Sequence, residues 1–141
     1  MIEAFIAGYI DRHQLRFSTL SDAIWDTPET RFAETRSSAL LADALEKEGF
    51  TVERGVGGID TAFIASVGSG KPVLAILGEF DALAGLSQQS GCARPQPLEA
   101  NGNGHGCGHN LLGTAGVAAV CAVKAWMEQH HTGGTVRFYG C

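Results

Sequence analysis

One ordered run of segments constrains this chain more than any other feature. VLAILG at 73–78 is followed by an irregular stretch, then by LLGTAGVAAVCAVKAWM at 111–127, then by GTVRFYG at 134–140. A short continuous apolar run fits a strand buried on both faces. The second segment is apolar on nearly every side and much longer than a strand. It reads as a buried helix capped by Asn110 and ending near His130. The third segment is again a strand. Strand, loop, helix and strand in this order form a crossover, which places its two strands parallel in one sheet. The expected class is therefore α/β.

Upstream, Ile2, Phe5, Ile6, Tyr9 and Ile10 recur with helical spacing and predict a helix over Ile2–Leu20. Ser21 caps a short second helix that stops near Pro28. Thr27 then caps a third, with Pro28 in its first position, running to about Glu48 with Phe32, Leu40, Leu41, Ala44 and Leu45 inward. Gly49 is the natural stop. From there the period changes to two: Phe50 and Val52 point inward, and TAFIASVG at 61–68 is a second strand. GSGKP at 68–72 reads as a turn between strands. It is not a phosphate-binding loop, because Ala65 stands at the first glycine position and Pro72 at the Ser/Thr position. Residues 81–108 form a loop too long for a plain connector, and such loops are usually functional.

Composition narrows the function classes. Hydrophobic residues make up 45% and charged residues 18%, an ordinary globular balance. The net charge of −5 argues against a nucleic-acid or anionic-membrane binder. Lys124 interrupts the apolar helix too early for a membrane span. No basic start precedes the first apolar residues, where Glu3 lies, so no secretory signal is read. Cys92, Cys107, Cys121 and Cys141 lack disulfide-scaffold spacing, and a reducing, cytoplasmic setting is expected. The 19 glycines gather between 55 and 116, which suggests turns and close backbone approaches there.

Two clusters could carry chemistry. Glu79 and Asp81 lie just past the VLAILG strand, where open α/β sheets bind ligands. Alone, they would also suit a solvated acidic turn. His105, Cys107 and His109 offer imidazole and thiolate, both good ligands for zinc-like ions, on a glycine-bent backbone at a helix start. Three donors do not close a structural zinc site, so further ligands must come from elsewhere, the acidic strand end being the obvious source. A metal-free reading also stands, with Cys107 as a nucleophile activated by a flanking histidine. A non-enzymatic binding or regulatory module is a third.

GEFDALAGLSQQ, GHGCGHNLLGTA and GGTVRFYGC, with IWDTPETRFAET, LEKEGF and TAFIASVGSGKPVLAILGE before them, cover essentially the whole chain. Together they resemble the dinuclear metal amidohydrolases of the aminoacylase/carboxypeptidase superfamily. That resemblance implies an incomplete three-layer α/β/α metallohydrolase catalytic domain with a mixed, largely parallel sheet. It implies two divalent ions, zinc or manganese, and hydrolysis of a small N-acyl amino acid such as an aminobenzoyl-glutamate. By the same resemblance Cys107 and His109 are metal ligands and Asp81 orients a metal-site group, with His105 and Glu79 weaker candidates. Glu79 stands where many members carry a histidine ligand, and Asn110 where related branches carry aspartate. Residues 1–141 would be the N-terminal portion of the catalytic domain. The general-base glutamate, the lid or dimerisation domain and the rest of the catalytic domain are expected beyond Cys141. The chain alone is then expected to bind metal at most weakly and to be inactive, to self-associate through uncovered sheet, and to work with a partner A subunit.

Overall fold

The computed structural model describes residues 1–141. Helix α1 spans Ile2–Trp25 and α2 spans Thr35–Lys47. Three strands follow: β1 (Thr51–Arg54), β2 (Phe63–Ser69) and β3 (Val73–Gly78). Helix α3 (His109–His130) and β4 (Gly134–Gly140) complete the chain. The sheet order is β1-β2-β4-β3. β4 pairs parallel with β3 and antiparallel with β2, and β1 is antiparallel to β2. The crossover is therefore present, and the class is mixed α/β as expected. Within it, only one of the three pairings is parallel, because β2 runs opposite to β4.

Helices α2 and α3 pack on one face of the sheet, and α1 lies against both of them. The core between them is built on Ile24, Leu41, Leu45, Phe63, Phe80, Val117, Val120 and Phe138. This chain thus shows one helical layer on one sheet face. On the other face Val73 and Leu77 are 51% and 65% exposed. The apolar run of β3 is an edge strand here, since nothing in the chain lies beyond it. Its composition matches a buried strand, whereas its position leaves it open.

The N-terminal half also differs from its sequence reading. The first two expected helices are one, continuous through Ser21, whose side chain is buried rather than capping. The third starts seven residues later than expected, at Thr35. Pro28–Glu34 is irregular because Glu29 acts from outside the helix. Its carboxylate accepts the N–H groups of Arg36 (3.1 Å) and Ser37 (2.9 Å), the first-turn donors of α2. The stop at Gly49 is as expected: Gly49 has φ +84°, its N–H donates to the Glu46 carbonyl and that of Phe50 to Leu45. This pairing is a Schellman motif with Phe50 tucked into the core.

α3 is long and apolar enough to cross a membrane by composition alone, but it packs against α1, α2, β3 and β4 as a core helix. Lys124 on its surface pairs with Glu128 at 2.7 Å.

Candidate functional site

The crossover brings the C-terminal end of β3 beside the N-terminus of α3. Glu79 and Asp81 leave β3, and His109 opens α3. The turn before the helix is made by Gly108, whose φ of +79° is costly for any residue with a Cβ. It aims the His109 ring back at the strand end. There Asp81 Oδ1 lies 2.6 Å from His109 Nδ1, and Glu79 Oε2 lies 3.1 Å from Nε2. The ring is largely buried, Asp81 partly so, and Glu79 more than half exposed.

Asp81 has a defined effect on the ring. By accepting from Nδ1–H it fixes that tautomer and leaves the Nε2 lone pair facing Glu79. A neutral imidazole has one N–H and can serve only one of the two carboxylates. The second contact therefore asks for a cation between Nε2 and Glu79, either a proton or a metal ion. A carboxylate–histidine pair with the other ring nitrogen free is the usual support of a histidine metal ligand. Two donors 3.1 Å apart are also close to the spacing of neighbouring ligands around one zinc-sized ion, about 3.4 Å. His109 and Glu79 fit that role, with Asp81 behind them.

The other sequence candidates stand differently. Cys107 is exposed, and no set of three or more His, Cys, Asp or Glu side chains converges as a metal-holding group. Cys107 also has no hydrogen-bonded base, and His109 is taken up by the acids, so the geometry does not favour a cysteine nucleophile. His105 points into the protein. Its Nε2–H donates to the Ile24 carbonyl at 3.1 Å, and burial pushes the imidazole pKa down, only partly opposed by that bond. It is a neutral tie between the loop and α1. Asn110 is not the cap of α3. Gly108 precedes the helix, and the buried Asn110 amide donates to Ser21 Oγ at 3.0 Å, joining α3 to α1. Cys121 lies in the core with its thiol pushed up to about 12 by burial. Cys141, beside Gly78, is raised by burial and then by the charges of Glu79, Asp81 and Glu34.

That last group holds a residue the sequence reading passed over. Glu34 is buried, and its Oε1 accepts from Phe32 N–H at 2.8 Å. Its segment reaches the site because Thr30 bridges Ala82 and the Ala82 N–H donates to the Glu29 carbonyl at 2.7 Å. The sequence signal was a cluster of acids after Pro28, which helix grammar absorbed as a first turn. The loop after Asp81 is ordered by its own contacts: Leu83 and Gly104 exchange both backbone bonds, and the Gln88 side chain spans Cys92, Arg94 and Gln96.

No family model matches the chain. Among solved structures, a dinuclear metal-binding peptidase of the M20 family from Bacillus subtilis superposes with a TM-score of 0.67. That match is 25% identical and covers 98% of this chain and 35% of the other. The fold is thus that of the M20 peptidases, a class whose members GEFDALAG and GHGCGHN resemble. Within it, the chain is similar to one of the subunits of the p-aminobenzoyl-glutamate hydrolase of Escherichia coli K12, at 61% identity over 99% of its own length. It is also 33% identical to the Xaa-Arg dipeptidase of Mus musculus over 86% of its length. The chain spans less than a third of these relatives, 29% and 27% respectively.

Proposed function

We propose that this chain supplies one side of the active site of a metal-dependent amidohydrolase that cleaves an N-acyl amino acid such as p-aminobenzoyl-glutamate. The observation that carries the reading is the Asp81–His109–Glu79 arrangement at the strand end. The likeness to a p-aminobenzoyl-glutamate hydrolase supports the substrate class. His109 and Glu79 are the residues placed to hold a divalent ion, with Cys107 on the preceding turn as a further donor. Imidazole, carboxylate and thiolate together suit zinc, and manganese is the second candidate of a two-ion centre. When bound, such an ion supplies Lewis acidity and an activated water. Asp81 holds the His109 ring oriented through Nδ1, so that Nε2 is directed at Glu79. The E. coli relative is named as one subunit of its enzyme, which supports a partner A subunit. Four free cysteines accord with a cytoplasmic setting.

A chimera tests this directly. Residues 1–141 replace the matching segment of the E. coli relative, and hydrolysis of p-aminobenzoyl-glutamate is followed. We expect activity that a chelator removes and that His109→Ala lowers by about 100-fold or more. A folded but inactive chimera sinks the reading. So does activity that a thiol alkylator removes while a chelator does not.

A further inference from the structure

A shallow cavity of about 340 Å³ adjoins the site, lined by Thr30, Arg31, Asp81, Ala82, Leu83 and Ala84. Its two charged residues differ in availability. Asp81 is already engaged by His109. Arg31 is exposed and free: the ion pairs of the chain use Arg16, Arg54, His109 and Lys124 as their cations, never Arg31. The backbone that carries Arg31 is held in place. The next residue, Phe32, sits at φ +65°, a conformation that costs a bulky L-residue energy and persists only when its surroundings enforce it. The enforcing contact is the bond from Phe32 N–H to the buried Glu34 carboxylate. On the other side, Thr30 is bridged to Ala82, and Asn103 Nδ2 donates to the Pro28 carbonyl at 3.0 Å.

A strained, pinned turn that offers an unpaired guanidinium to a cavity touching the site has the features of a recognition element. A guanidinium matches a carboxylate in shape and charge and can bind it through two parallel N–H donors. Leu83, 39% exposed, supplies an apolar wall of the same cavity. We propose that Arg31 reads a carboxylate of the substrate, selecting an N-acyl amino acid with an anionic side chain over its neutral amide. This rests on the amidohydrolase reading, but its test does not require turnover.

The experiment is titration of the 141-residue chain with p-aminobenzoyl-glutamate and, in parallel, with p-aminobenzoyl-glutamine, followed by NMR. The expected result is millimolar binding, with the glutamate compound favoured about fivefold, as a partly exposed ion pair allows. Arg31→Gln should abolish that preference and Arg31→Lys should retain part of it, both with an unchanged unfolding midpoint because the side chain is exposed. Equal binding of the two compounds overturns the proposal, as does a preference that survives Arg31→Gln or no binding at millimolar concentration. In an active chimera, Arg31→Gln should raise KM for the glutamate compound with little change in kcat. An inactive chimera would count against the amidohydrolase reading alone, while the titration would still decide the role of Arg31.

Discussion

The Phe138 ring occupies a space that two glycines leave open. A Cβ at Gly78 would lie 2.6 Å from the ring, and one at Gly116 2.5 Å from it. Both distances are shorter than real carbon contacts, and Phe138 is fully buried with no room to swing away. Gly116 is inside α3, where alanine would ordinarily gain about 1 kcal/mol of helix propensity. Overpacking a closed core costs about 1–3 kcal/mol and should outweigh that gain. Gly116→Ala is therefore expected to lower the urea midpoint. Gly8→Ala in α1, where a Cβ meets only the flexible end of Arg12, should raise it. A rise in both would show that the ring is not wedged as described. The gathering of glycines in this region was legible as a sign of close approach. Which ring they admit was not, because the partner strand lies far along the chain. His105 and Asn110 illustrate the same limit. Residue type alone offered a ligand and a cap, whereas the bonds to Ile24 and Ser21 depend on how α1 lies against α3.

Among the elements, the crossover strands and α3 were legible almost to the residue, because their apolar runs are long and their boundaries are glycines. The segment before α2 was not. Thr27, Pro28 and Glu29 satisfy the local rules of a helix start, yet Glu29 spends its carboxylate on a helix beginning six residues later. A tertiary cap of this kind leaves no local signature. β3 shows the converse: its composition reads as that of a covered strand, and the chain supplies no cover. The two edges of the sheet differ accordingly. β1 presents Glu53 and Arg54, which resist pairing with another sheet, whereas β3 presents exposed Val73, Leu74 and Leu77 beside an unpaired backbone edge. We expect two copies of the 141-residue chain to associate through β3. Sedimentation should show dimers or larger species that Leu77→Lys shifts toward monomer. A strictly monomeric wild-type chain would refute this.

For the molecule as a whole, the arrangement of charge around His109 sets what the chain can do unaided. Hydrolysis of an amide needs a water, a group to take its proton and a cation to stabilise the oxyanion. In this chain Asp81 is committed to His109 Nδ1, and Glu79 faces Nε2. If an ion takes the place between Nε2 and Glu79, both residues become its ligands and neither remains as a base. Cys107 could add a third donor only by moving, since no three donors converge as the chain stands. A site with two ready ligands must order the rest of its coordination sphere from solvent or loop, so affinity should be low. The 141-residue chain with added zinc or manganese is accordingly expected to leave p-aminobenzoyl-glutamate intact over hours, while the chimera described above cleaves it. Metal-dependent cleavage by the chain alone, lost in His109→Ala, would show instead that one of these three side chains is released to act as the base. Glu79, the most exposed of them, would then be the first to substitute.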